Sequence, residues 1–225
     1  MNILPQLIQK KIEDKNRAYS VGFWSALVTT LCGIIYFLVL LGMSFTGNFV
    51  FPPSDAIQLF GGIISLILCP LIVILIACLH TITVPENKVF SQSSLAFTLL
   101  FAVSVSINRF TQLGAVRQNI TAGTTEGLHW FLPYGDNSVM LGLEMMGWGW
   151  FLGLAFLLAA PTFSQARLQG WIKRCMVLYG VLGIISSIGY LTASPISAIG
   201  FIAWGLVLFI ITGLLTVYFG RVENC

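Results

Sequence analysis

Six long apolar runs set the pattern of the chain. They fall at about 19–42 ("YSVGFWSALVTTLCGIIYFLVLLG"), 56–79 ("AIQLFGGIISLILCPLIVILIACL"), 93–115 ("SSLAFTLLFAVSVSINRFTQLGA"), 138–160, 172–191 and 197–219. Each has the length a helix needs to cross hydrocarbon, roughly 20 residues for about 30 Å. In lipid an isolated strand leaves its backbone unpaired, and the polar/apolar alternation of a membrane barrel is absent, so each run predicts a helix. The fold class that follows is all-α: a polytopic membrane protein with a bundle of six transmembrane helices, read as one domain over residues 1–225.

Composition agrees with the pattern. Of 225 residues, 57% are hydrophobic and 8% charged, against roughly 25% charged in a soluble domain. So few charges cannot cover a protein in water, so membrane lipids are the expected surroundings. No cluster of Lys and Arg is interleaved with aromatics, so nucleic acid is not an expected partner. Cys32, Cys69, Cys78, Cys175 and Cys225 show no zinc-type spacing and read as free thiols. No cofactor is implied.

The polar segments between the runs predict orientation. With both chain ends on the inner side, Lys10, Lys11, Lys15, Arg17, Lys88, Arg167, Lys173, Arg174 and Arg221 lie inside, and Arg109 and Arg117 belong to the outer half. The positive-inside bias then predicts a multi-pass cell-membrane protein with cytoplasmic N- and C-termini, as an even number of spans requires. Residues 1–18 form a cytoplasmic N-terminal segment. Leu4, Ile8 and Ile12 recur there at helical spacing with lysines between them, which suits a short helix on the membrane surface, with a plain basic tail as the alternative. It does not read as a signal peptide: the apolar run after it is too long and ends in no small-x-small cleavage pattern. Residues 116–137 form a long outer loop whose Trp130, Phe131 and Tyr134 suit the headgroup level.

Against this apolar background one acid stands out. Glu144 interrupts "VMLGLEMMGWGW", six residues into the fourth run, about 9 Å deep at 1.5 Å per residue. Arg109 lies six residues before Ala115, where the third run ends. Consecutive spans are antiparallel, so the two charges should meet at one depth. An isolated charge in a span costs roughly 2.5–3.5 kcal/mol, and an Arg–carboxylate pair offsets much of this when further hydrogen bonds complete it. Asn108, Thr111 and Gln112 surround Arg109, and Ser104, Asn108 and Gln112 share one face at four-residue spacing. Trp148, four residues after Glu144, is placed to wall a pocket or stack on Arg109. Three uses of the pair stay open: locking two helices in register, a carboxyl left protonated while Arg109 snorkels outward, or lining an outward-opening cavity for a small amphipathic or anionic ligand.

Smaller signals complete the reading. Gly149 with Gly153, and Gly183 with Ser187, are small-residue steps that permit close helix contact. Pro70 should kink the second span, and Pro195 marks the start of the sixth. His80 and His129 fall on opposite sides of the membrane, so they cannot share a metal. Glu126, His129 and Asp136 lack the fixed spacing of a metal site. No metal-binding, phosphate-binding or hydrolase motif is present.

The stretches "TQLGAVRQNITAGTTEGLHWFLPY", "LEMMGWGWFLGLAF" and "YGVLGIISSIGYL" resemble uncharacterised prokaryotic multi-span proteins of the domain-of-unknown-function 4386 type. That resemblance implies a six-helix membrane fold and brings no functional residues with it. From the residues themselves, the expected function is small-molecule or lipid binding or transport through a polar site formed by Arg109, Glu144, Asn108, Gln112 and Trp148. A structural membrane subunit and an intramembrane enzyme are the alternatives.

Overall fold

The computed structural model describes residues 4–45, 54–133 and 138–222. These residues are almost wholly helical, with no strand among them. Six helices are long and apolar enough to cross a membrane, and the chain is a multi-pass membrane protein. We label them α1 (Leu4–Phe45), α2 (Asp55–Ile82), α3 (Pro85–Thr121), α4 (Val139–Thr162), α5 (Arg167–Leu191) and α6 (Pro195–Arg221).

Each helix packs antiparallel on the next. Tyr36 of α1 meets Phe60 and Gly61 of α2, Gly62 of α2 meets Leu113 of α3, and Val105 of α3 meets Gly147 of α4. Gly149 of α4 meets Gly183 of α5, and Ser186 of α5 meets Gly200 of α6. The first and last helices also pair: Tyr19 lies against Phe219, Thr30 donates to Thr212 at 2.9 Å, and Gly33 receives Phe209. The chain ends therefore share one side of the bundle, here the terminal side, and residues 117–133 lie on the far side.

The core contains Ile72 and Leu75 of α2, Phe101 of α3, Leu152 and Phe156 of α4, Tyr179 of α5 and Leu208 and Ile211 of α6, all 0% exposed. The outward faces are apolar too. Leu38, Ile63, Val103, Ile107, Val181, Leu206 and Val217 are exposed, as helices solvated by hydrocarbon require. Lipid gives two apolar helices no hydrophobic reason to associate, so close packing and cross-helix hydrogen bonds must hold the bundle together. The α4–α5 crossing shows this most clearly, and it uses both small-residue steps seen in the sequence. A Cβ on Gly183 would lie 2.7 Å from the Gly149 carbonyl oxygen, and one on Gly180 would lie 2.8 Å from that of Gly153.

Helix ends differ from the sequence expectation in two places. Residues 4–18 are not a separate surface helix: α1 continues without a break from Leu4 to Phe45. No proline stands near residue 18, and Gly22, one turn on, lies within the helix against Phe219. Likewise α3 runs on to Thr121, into what the hydropathy pattern assigns to the long loop. A fall in hydropathy marks where lipid ends, whereas a helix ends only where its backbone is capped or broken. The rest of that segment turns through Gly123 and Gly127, both at φ +75°, into a short 3-10 turn at Leu128–Phe131. Tyr134 falls outside the described residues, as does most of the first far-side connection.

α2 continues as a helix through Pro70, which does not end it. Pro195 opens α6, where the Ser194 hydroxyl accepts from the Ile196 amide. The preceding turn closes α5 with amide bonds from Ala193 to Tyr190 and from Ser194 to Gly189. Ala193 takes the left-handed conformation there (φ 51°), at a position where glycine is usual.

Packing at the α4–α5 crossing sets an expected outcome. Gly183→Ala should destabilise the protein by about 1–3 kcal/mol, because rigid backbone faces the added methyl group. Gly213→Ala, whose Cβ would meet Thr30 at an ordinary 3.8 Å, should be neutral or slightly stabilising. Thermal unfolding of the two variants in one detergent checks this, and equal midpoints would refute it.

Candidate functional site

The third and fourth spans bring the predicted charges together. Arg109 and Glu144 form an ion pair through guanidinium Nη2 and carboxylate Oε1, with side chains 14% and 20% exposed. Around it the bonds close into a ring. Arg109 Nη1 donates to Gln112 Oε1 at 3.0 Å, and Gln112 Nε2 donates to Asn108 Oδ1 at 2.5 Å. Asn108 Nδ2 donates to Glu144 Oε2 at 2.6 Å and to the Met140 carbonyl at 3.1 Å. Every bond in the ring runs from a donor that has hydrogens to give to an oxygen that can accept them.

Helix geometry explains the arrangement. Asn108 and Gln112 are one turn apart on α3 with Arg109 beside them, so three polar side chains issue from one short stretch. Glu144 reaches them from α4 at the same level. Asn108 is completely buried, and its amide ties Glu144 to α3 independently of the ion pair. Ser104 lies on the same stripe but donates to its own helix, to the Leu100 carbonyl at 2.8 Å. Among the described residues, Arg109 Nε is buried and has no hydrogen-bond partner.

Trp148 sits on the face of Glu144. It lies one turn deeper than the ring, 5% exposed, edge-on to Phe101 with ring centroids 4.8 Å apart. It therefore fills core space below the site instead of walling a cavity, although its indole still approaches the Glu144 carboxylate as a donor. Among the described residues the cation lying over a ring is Arg174, on Trp171 and not at this site.

Three π turns surround the ring, and the sequence reading did not foresee them. They occupy Gln112–Val116 in α3, Met145–Phe151 in α4 and Ala203–Val207 in α6. In each, an amide bonds five residues back: Arg117 to Gln112, Leu152 to Gly147 and Leu208 to Ala203. Such turns are uncommon and gather at functional sites. Carbonyls in the α4 turn find donors on α5: Ser187 Oγ donates to Met145 O and Tyr179 OH to Trp148 O, each at 2.9 Å. Each π segment contains a glycine, and two contain a Trp-Gly pair; "GWGW" and "AWG" were the visible signals.

Two cavities adjoin the ring. The smaller, about 40 Å³, lies against Asn108, Arg109, Gln112 and Glu144 and is closed by Met145 of α4 and Trp204 of α6, among others. That volume holds water molecules and nothing larger, since one water needs roughly 10–15 Å³ by this measure. The larger, about 360 Å³, lies at the far-side ends of α2 and α3, with Asp55, Gln58 and Arg117 as polar lining and Leu59, Leu113 and Ile120 as apolar lining. Gln112 and Pro133 border both cavities.

The remaining candidates do not assemble into a site. His80 accepts or donates through Nδ1 with Ser91 Oγ at 2.8 Å, near the terminal side. His129 packs against Trp130 on the far side. Asp136 falls outside the described residues, and among these no three His, Cys, Asp or Glu side chains gather to hold a metal. Cys32, Cys69, Cys78 and Cys175 are free thiols.

No protein-family model, curated protein or solved structure matches the chain. The resemblance to proteins of the 4386 type thus rests on the three sequence stretches alone.

The ring predicts a particular mutational pattern. Arg109→Ala or Glu144→Ala strands its partner, and each should cost about 3–5 kcal/mol. Glu144→Gln keeps the bond from Asn108 and should cost less than Glu144→Leu. The Arg109→Ala/Glu144→Ala double variant should be clearly more stable than these two single losses added together. A double-mutant cycle on thermal midpoints measures this coupling; strictly additive losses would show that the pair does not interact.

Proposed function

We propose that this membrane protein binds a small amphipathic molecule in the cavity at the far-side ends of α2 and α3. The observation that carries this reading is the shared border: Gln112 belongs both to the polar ring and to the wall of a cavity of about 360 Å³. That volume falls within the usual range for small-molecule sites, roughly 300–1,000 Å³. The ligand's polar end meets Gln58, Gln112 and Arg117, and its chain lies against Leu59, Leu113 and Ile120. Arg109 and Glu144 lie behind Gln112 and do not line this cavity; they neutralise each other, so they add no net charge beside it.

One observation favours a second reading, a structural subunit in which the ring only locks α3 to α4. The bonds close on themselves, and the space beside Glu144 is about 40 Å³. A third reading, an intramembrane enzyme, needs a second reactive group within reach of Glu144. The other residues around that smaller cavity supply amides and apolar side chains, apart from Arg109. The resemblance to the 4386 type fits the first two readings equally.

Orientation belongs to the same proposal. Nine of the eleven Lys and Arg residues are assigned to the side of the chain ends, which supports cytoplasmic termini and a cavity at the opposite surface. A reporter active only outside the cytoplasm should be silent when fused after Arg221 and active when inserted at Glu126. The reverse pattern would overturn the orientation.

Binding is tested with alkyl glycosides and alkyl phosphocholines of increasing chain length, using thermal stability of the purified protein. Ile120→Trp grows a half-exposed side chain into the cavity without touching the ring. It should weaken the stabilising amphiphile by about tenfold or more, the equivalent of about 1.4 kcal/mol. If Ile120→Trp and Leu59→Trp both leave every dose-response unchanged, the cavity is not the site.

A further inference from the structure

The other end of the bundle carries a separate arrangement of charge. Tyr36 packs on Gly61 and stacks on Phe60. Followed back toward the chain start, this antiparallel register brings Lys15 and Lys11 to the level of the turn joining α2 to α3. Lys88 stands at that turn, with Nζ donating to the His80 carbonyl and, at 3.3 Å, to the Thr81 carbonyl. Lys11 and Lys15 come within electrostatic reach of it. Two chain segments distant in sequence thus bring three ammonium groups to the same level at this end of the bundle.

The acids nearby are not paired with them. Glu13, Asp14 and Glu86 are the neighbours in sequence, yet among the described residues no lysine forms an ion pair. Glu13 instead accepts from Gln9 at 3.2 Å. Beside the lysines the surface turns apolar: Val89 is 72% exposed, Val84 52% and Phe90 41%. On the same side of the bundle Trp171 is exposed beneath the Arg174 guanidinium, 5.4 Å from its ring centroid. Exposed Trp side chains of this kind sit at the headgroup level.

We propose that Lys11, Lys15 and Lys88 form a seat for the phosphate of an anionic phospholipid, whose acyl chains lie along Val89 and Phe90. The cations match the phosphate, and the exposed apolar residues beside them match the chains, which a free phosphate ion lacks. Lys88 is the fixed member, held by the last carbonyls of α2, and the two α1 lysines close over the headgroup. Basic groups of this kind near a membrane surface each add roughly fivefold to affinity for anionic lipid. The seat lies on the terminal side, so it stands or falls independently of the cavity near Gln112.

The test uses the full chain in nanodiscs of phosphatidylcholine, with phosphatidylglycerol titrated in and bound lipid counted by native mass spectrometry. Lys11→Gln/Lys15→Gln leaves the Lys88 cap intact and should lose about thirtyfold in phosphatidylglycerol affinity, with an unchanged thermal midpoint in pure phosphatidylcholine. Lys173→Gln/Arg174→Gln removes the same charge from the same side and should lose much less. Raising salt from about 0.1 to about 1 M should weaken the wild-type interaction. Three results would overturn the proposal: unchanged binding by the α1 double variant, an equal loss in the α5 control, or protection by inorganic phosphate alone matching that of the lipid.

Discussion

A carboxylate in a lipid-solvated bundle must have its charge answered from within the protein, and the far half of this structure is arranged around that requirement. Glu144 is answered twice, by the Arg109 guanidinium on one oxygen and by the Asn108 amide on the other. The second bond matters as much as the first. An ion pair in low dielectric offsets its desolvation only when the remaining donors and acceptors are also occupied. Gln112 goes most of the way by joining Arg109 to Asn108, with Arg109 Nε alone in the ring left without a partner, so α3 presents a ready-made receptor for the acid on α4. The depth of α4 relative to α3 is set by this fit, because sliding one helix by a turn would leave two opposite charges unpaired in hydrocarbon.

The same scarcity of water governs the backbone. Carbonyls loosened by the π turn of α4 cannot turn to solvent, and they are met by Ser187 and Tyr179 of α5. Those donors come within range because Gly149, Gly180 and Gly183 let α4 and α5 approach almost backbone to backbone. Close packing, an irregular helix and cross-helix hydrogen bonds are thus one connected solution. It also explains why α4 is the most enclosed of the six spans, with 56% of its apolar window buried, while α1 has 17% and faces mostly lipid.

What could be read from the sequence follows from which forces are local. The six spans were legible because length and apolarity are properties of a segment. The Arg109–Glu144 contact was legible because antiparallel neighbours fix depth, and a lone charge is costly enough to demand a partner. The ends of α1 and α3 were not, since hydropathy reports the membrane boundary and not the end of hydrogen bonding. Periodicity puts Trp148 on the face of Glu144, one turn deeper, but cannot say that Phe101 occupies the space beside it. The π turns were missed altogether. They depend on Ser187 and Tyr179, some 30 to 40 residues further along the chain, and no window around "MMGWGWF" contains those partners.

A π turn holds more residues than an ordinary helical turn spanning the same rise, so the side chains before and after it keep different angular phase. In α4 this lets Glu144 face α3 while Gly149 and Gly153 face α5, two demands that a regular helix would have to meet with one fixed spacing. Chain length in this helix is consequently a coded quantity: losing a single residue between Met145 and Phe151 would restore regular winding, rotate one demand away from its partner, and carry the Met145 and Trp148 carbonyls away from the α5 hydroxyls that meet them.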